Sequence, residues 1–435
     1  MWAMRFLQFK LWGSIRPKRS LGVLVLVLLF SACPAAAYSV LTHQANIDSC
    51  WVRCLRPALE TRFPGATADE MKAAKSYAYG GSIIQDMGYY PFGARLFTNL
   101  THYVRSGDFV RNLLLEATTR DEYAFALGAL AHYAADIEGH GTGTNLAVPI
   151  IFPELKEKYG PVVTYQENPV AHTRAEFAFD VVQLAAGRYR TDAYHDFVGF
   201  QVQKDVLARA FQKTYGLELG QVIFNVDLSI GSYRFAVRQL IPVLSRAAWR
   251  ANRHQIRREV PGAHRREYVY RASRHAYHQQ YGKAYEHPGL GARLLAGFIW
   301  VLPKVGPLRA LKFITPPPTA QKIFRASFGR TVTKYCGLLH QQTQAEAALA
   351  RTALPNADFD TGHPTRLGEY PLADETYGEW LRKLAKADFK DISSPMRQNL
   401  LTFFGSDAKG PVDAEEKEKD NVRETQAALA RLKAL

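Results

Sequence analysis

Two short stretches decide the reading: Ala131-His132-Tyr133-Ala134-Ala135-Asp136 and His172-Thr173-Arg174-Ala175-Glu176. Each sets a histidine four residues ahead of a carboxylate. On a helix that spacing stacks both side chains on one face, with Cβ atoms about 5–6 Å apart, so both can reach one ion. Both pairs sit in helical patterns. Asp121 to Ile137 carries Phe125, Leu127, Leu130 and Ala134 on an apolar stripe, and Ala171 to Leu184 reads the same way. Thr42 to Leu59 is a third such stretch, with Ala45, Ile47, Trp51, Leu55 and Leu59 near helical spacing and Thr42 as N-cap. Strictly alternating runs are scarce. The expected fold class is therefore all-α, a multi-helix catalytic domain with a C-terminal helical extension.

Breakers divide the chain. Gly139, Gly141 and Gly143 are expected to end the second helix, followed by a loop with Pro149, Pro153 and Pro161. His287-Pro288-Gly289 marks a boundary, and Pro316-Pro317-Pro318 a stiff linker. From Asp413 onward, alternating acids and bases predict an exposed helix or tail. The expected organisation is a processing segment over 1–37, a catalytic domain over 38–285, and a basic, helical extension over 286–435 with no assigned role.

The processing segment has a positive start (Arg5, Lys10, Arg16, Lys18, Arg19), an apolar run from Leu21 to Phe30, and a small-residue cleavage site at Ala35-Ala36-Ala37. The apolar run is short for a bilayer span. Cleavage before Tyr38 is the leading expectation. The alternative is lipoprotein processing at Phe30-Ser31-Ala32-Cys33, an imperfect lipobox that would anchor the chain through Cys33. Both predict export, to the periplasm or beyond.

Over 435 residues, 47% are hydrophobic and 22% charged, a globular balance that excludes a disordered chain. Four cysteines, one of them in the leader, exclude a disulfide scaffold. Cys50 and Cys54 share a helix face but stand too far apart to bridge without strain. Either one of them pairs with Cys336, or all three stay buried thiols. The net charge of +15 is concentrated between Arg234 and Lys334, with about 20 lysines and arginines against about 3 acids. Such a block suits an anionic membrane surface or nucleic acid, or is simply a solvated face.

Imidazole nitrogen and carboxylate oxygen are the donors that catalytic zinc accepts. One His-x-x-x-acid pair also occurs as an ordinary helix-surface ion pair. Two of them, with His43, Asp86, His102 and His140 isolated among apolar neighbours, form a metal-ligand inventory. Asp86 lies in the apolar run from Tyr79 to Gly88, where an unpaired carboxylate is costly.

In that order the residues resemble the zinc-dependent phospholipases C, whose fold is shared by fungal single-strand nucleases. The family pattern is an N-terminal residue, His, Asp, His, His-x-x-x-Asp, His, and a last His-x-x-x-Glu in phospholipases or His-x-x-x-Asp in nucleases. Here it is met by Tyr38, His43, Asp86, His102, His132 with Asp136, His140, and His172 with Glu176. The resemblance spans roughly 38–180 by motif. It implies three zinc ions: one on Asp86, His102, His132 and Asp136; a second on His140, His172 and Glu176; a third on His43, Asp136 and the amino and carbonyl groups of Tyr38. It also implies Asp86 as general base. Tyr38 replaces the family's usual Trp, and the step from Asp136 to His140 is short. Nothing beyond about 285 resembles the β-sandwich that some members add.

Other candidates are weaker: His195 with Asp196; His254, His264, His275, His278 and His287 among arginines; and Trp300 with Leu294, Leu295, Phe298 and Ile299 as a membrane-facing stretch. The leading expectation is a phospholipase C-like hydrolase acting on phospholipid or another phosphodiester, touching anionic membrane peripherally. The alternatives are a nuclease on the same fold and a non-catalytic exported surface-binding protein with a structural metal site. No feature points to a specific protein partner.

Overall fold

The expected helix around His132 is the axis of the protein. The computed structural model describes residues 39–189, 200–237, 241–259, 312–344, 354–405 and 416–435. In chain order its helices are α1 (Val40–Cys50), α2 (Arg56–Arg62), α3 (Ala68–Gly81), α4 (Arg95–Tyr103), α5 (Ser106–Glu116), α6 (Arg120–Gly139), α7 (Asn145–Ile151), α8 (Pro153–Tyr159), α9 (Pro169–Ala185), α10 (Lys204–Tyr215), α11 (Leu219–Val222), α12 (Val226–Phe235), α13 (Ile241–Glu259), α14 (Pro318–Gln344), α15 (Pro371–Lys386), α16 (Ser394–Phe404) and α17 (Glu416–Ala434). π-Helical turns follow α1 (Trp51–Leu55) and α6 (His140–Thr144), and a 3₁₀ turn spans Ile84–Tyr89. The described residues contain no strand, only an isolated antiparallel bridge between Ala357 and Pro364. The fold is all-α, as expected. No described helix is long and apolar enough to cross a membrane.

Helix α6 is buried on every side from Tyr123 to Asp136, which places it in the middle of the bundle. Its start is set by a capping box: the Thr119 hydroxyl accepts from the Glu122 amide at 3.2 Å, and Glu122 Oε2 accepts from the Thr119 amide at 3.1 Å. Glu122 also accepts from Arg209 Nη2 at 2.8 Å and the Thr118 amide at 2.9 Å. Burial pushes its carboxyl up, but Arg209 and the two amides outweigh burial and bring it to about 2. A depressed folded-state value gives stability that is present above the usual 4.5 and lost as pH falls toward about 2. Glu122→Gln is therefore expected to cost about 1–3 kcal/mol at pH 7 and to flatten the loss of stability between those values. Urea unfolding of both proteins at pH 7 and pH 3 checks this; parallel curves at both would count against it.

Helices α3 and α6 touch backbone to backbone. A Cβ on Gly81 would stand 1.9 Å from the Phe125 carbonyl oxygen, and one on Gly128 would stand 2.2 Å from that of Ala78. This close approach brings the Ser82 carbonyl beside His132.

Three expectations about elements are corrected. Helix α1 starts at Val40 with Ser39 at the N-cap, not at Thr42, and the run to Leu59 is broken by the π turn at Trp51–Leu55. Thr42 is buried inside the helix and donates to Asp180 Oδ1 of α9 at 2.7 Å, while the Leu41 amide donates to Asp180 Oδ2 at 2.9 Å. A distant carboxylate thus does the capping, where the helix dipole favours negative charge. The loop expected after Gly139 is instead the π turn, α7 and α8. Proline is tolerated at Pro149 because the carbonyl four residues earlier, that of Asn145, accepts from Val163 at 3.0 Å. Pro153 opens α8, where its missing N–H costs nothing.

The division at about 285 falls in 260–311, outside the described residues, but the segments on either side share one core, from Leu41 and Phe125 to Trp380 and Leu432. Helix α14 packs along α6, with the Tyr335 hydroxyl donating to the Leu127 carbonyl at 2.9 Å. Trp380 of α15 donates to the Tyr215 carbonyl at 2.8 Å. Among the described residues, the C-terminal part is thus joined to the N-terminal part through that common core. Pro316 and Pro317 lead without regular structure into α14, whose first residue is Pro318. The end of the chain is helical, α17, with Ala428 and Leu432 buried. Of the two bridging alternatives for cysteine, Cys54 pairs with Cys336. Cys50 stays a buried thiol, pushed up to about 12 by burial.

Candidate metal centre

Six elements converge on one buried point. Helix α1 brings His43, the 3₁₀ turn Asp86, the end of α4 His102, α6 His132 and Asp136, the π turn His140, and α9 His172 and Glu176. None of these side chains is more than 2% exposed as a residue. They form three groups whose candidate ligand atoms lie within 4.8 Å of one another: His43, His132 and Asp136; Asp86, His102 and His132; His140, His172 and Glu176. Every sequence-predicted ligand is thus brought into the cluster except Tyr38, which lies outside the described residues, as does the whole leader including Cys33.

The separations suit zinc. Donors at the corners of a tetrahedron with bonds of about 2.0–2.1 Å stand about 3.3–3.4 Å apart. His102 Nε2 is 3.3 Å from Asp86 Oδ1, 3.4 Å from Asp136 Oδ2 and 3.5 Å from His132 Nε2, and His132 Nε2 is 3.0 Å from Asp136 Oδ2. His43 Nε2 is 3.5 Å from Asp136 Oδ1, so the two oxygens of Asp136 face different groups. In the last group His172 Nδ1 is 3.3 Å from Glu176 Oε1, and the His140 ring stacks on that of His172 at 5.6 Å.

The far side of three rings is tied down by carbonyls. His102 Nδ1 donates to Thr98 at 2.9 Å, His132 Nδ1 to Ser82 at 3.0 Å and His172 Nε2 to Val163 at 2.8 Å. A carbonyl can only accept, so one N–H of each ring is pinned outward and the other nitrogen is turned toward the cluster.

Three carboxylates, Asp86, Asp136 and Glu176, share this buried volume with the five rings. Burial pushes Asp86 up, partly offset by His132 and His102. Burial and the carboxylates of Asp136, Asp86 and Asp360 raise Glu176 well above its usual range. Burial pushes His102 down, yet its contacts with Asp136 and Asp86 lift it to about 10. Burial works against the charge of Asp136 as well, but His132 and His102 hold it well below the usual carboxylate range. Burial lowers His43 and His140 to about 3, which leaves both neutral and free of competing protons near pH 7.

The cluster has a cover that sequence reasoning missed. Phe359 packs its ring 5.0 Å from that of His102 and 6.0 Å from that of His132, and Asp360 Oδ1 stands 3.5 Å from His140 Nε2. The available signal was Asp358-Phe359-Asp360, an aromatic flanked by acids between Pro355 and Gly362, which is weak on its own. A cavity of about 540 Å³ opens beside this segment, lined by Asp358, His363, Arg366 and Tyr370 among others. Of the weaker candidates, His254 is exposed on α13. His195, Asp196, His264, His275, His278, His287 and the stretch around Trp300 lie outside the described residues.

Residues 52–225 match the family model described as zinc dependent phospholipase C. The matched segment holds Asp86 through Glu176 but neither His43 nor Asp360. Over 200 residues the chain is 26% identical to an uncharacterized protein of Archaeoglobus fulgidus, an alignment covering 45% of this chain and 50% of that relative. The chain thus spans about half the length of the curated relative it matches. No solved structure matches it.

Proposed function

We propose that the protein is a zinc-dependent phosphodiester hydrolase of the phospholipase C type, releasing a phosphorylated head group from phospholipid. The observation that carries this reading is the sharing of one carboxylate: Asp136 turns Oδ1 toward His43 and Oδ2 toward His102 and His132. A shared carboxylate would serve two neighbouring cations, whose charge would favour a phosphoryl group at this site. In this reading Asp86, His102, His132 and Asp136 hold one zinc, and His140, His172 and Glu176 a second. A third rests on His43, Asp136 and the main chain of Tyr38, made available by processing after Ala37.

Bound zinc would supply Lewis acidity to the phosphoryl oxygens and make water acidic near pH 7. The protein's own groups do the rest. The carbonyl-anchored rings of His102 and His132 keep their donor atoms in place, and Phe359 keeps bulk water from them. Asp86 accepts the proton of the attacking water. Attack at phosphorus breaks the bond to the glycerol oxygen; the hydroxyl stays on phosphorus and the proton ends on the released alcohol. Export fits this substrate, and the mass of the exported chain decides between processing at Tyr38 and at Cys33. Peripheral contact with anionic membrane is supported by α13, where Arg250, Arg253 and Arg257 are exposed and Ala248, Trp249 and Ile256 are buried.

The test is zinc content after dialysis, with assays on phosphatidylcholine vesicles and single-stranded DNA in parallel. Close to three ions per chain and a water-soluble phosphorylated product are expected. One ion or none would overturn the cluster, and DNA cleavage without lipid turnover would give the site to the nuclease reading.

A further inference from the structure

Three carbonyls anchor three of the histidines, but His140 has a different arrangement, supplied by a segment far along the chain. The segment from Leu354 to Tyr370 is pinned across the centre: the Tyr133 hydroxyl donates to the Pro355 carbonyl at 2.9 Å, the Phe359 amide to the His102 carbonyl at 3.2 Å, and the Asn145 side chain to the Asp360 carbonyl at 2.7 Å. These contacts bury the carboxylate of Asp360, which is 4% exposed. Its Oδ2 accepts from the Tyr103 hydroxyl at 2.8 Å and from that of Tyr370. Two donors on one oxygen fix the plane of the carboxylate. The other oxygen then faces His140 Nε2 at 3.5 Å. His140 Nδ1 is buried with no hydrogen-bond partner among the described residues. A ring that binds a metal through one nitrogen commonly has the other held by a carboxylate or a carbonyl.

We infer that Asp360 is a positioning residue of the metal centre: clamped by Tyr103 and Tyr370, it holds His140 at Nε2 and so presents Nδ1 to the ion shared with His172 and Glu176. This rests on the reading of that group as a zinc site. It assigns a task at the centre to a segment that lies outside the matched family region.

The experiment is competitive titration of zinc-loaded protein with a chromophoric chelator, read as ions released and their affinities. Asp360→Asn keeps the size of the side chain and removes its charge. It is expected to weaken one ion about 10–100-fold and leave the others unchanged. Tyr370→Phe, which removes one of the two donors, should weaken the same ion by less. His140→Ala should weaken that ion more strongly while leaving it measurable, and adding Asp360→Asn to it should weaken the ion no further, which a merely structural role would not produce. Unchanged affinities in Asp360→Asn, or an equal loss with and without His140, would overturn the assignment. A wild-type protein that binds no zinc would instead overturn the metal reading beneath it.

Discussion

Asp136→Ala is expected to abolish hydrolysis and to release more than one zinc ion. The side chain is fully buried, and its two oxygens serve different neighbours, Oδ1 toward His43 and Oδ2 toward His102 and His132. Removing it takes the negative charge from both groups and leaves three buried rings facing a gap. Metal charge stabilisation of a phosphoryl transfer is worth several kcal/mol, so the rate should fall by at least about 10³-fold. Elemental analysis and head-group release on the same preparation check both halves. A variant that keeps its full zinc content would count against the bridging role of Asp136, and one that keeps its rate would remove it from the chemistry.

Replacing both Cys54 and Cys336 with serine is expected to lower the melting temperature by roughly 2–6 °C. The bond closes a sequence separation of 282 residues, and cross-links of long loops stabilise by about 2–5 kcal/mol, mainly by restricting the unfolded chain. It also joins the turn after α1 to α14, which packs on α6, so it ties the helix of His43 to the helix of Asp136. Calorimetry with and without reductant measures the effect. A double variant melting together with wild type would mean that packing alone holds α14 in place.

What was legible in the sequence was local. The pairs His132 with Asp136 and His172 with Glu176 could be read because helical geometry sets the four-residue relation within a single element. The apolar stripes of α6 and α9 gave the all-α class for the same reason, although the helix ends shifted by a few residues. His43, Asp86, His102 and His140 could be singled out as polar groups among apolar neighbours, but only folding shows that they meet.

The tertiary structure decided everything that depends on distant segments. Asp180 caps α1 from α9, so the N-cap expected at Thr42 was misplaced; local spacing carries no trace of a carboxylate 138 residues away. Pro149 sits within a helix because Val163 satisfies the carbonyl its ring would leave bare. The choice of Cys54 over Cys50 rests on which one faces Cys336 once α14 docks. Asp360 and Phe359 reach the metal centre from beyond 285 because burial of α14 and α15 carries the chain back over α6. By itself the sequence determined a helical protein with a metal-ligand inventory, since those follow from periodicity and donor chemistry. How the donors are grouped, oriented and covered follows from long-range packing, which no short window of residues contains.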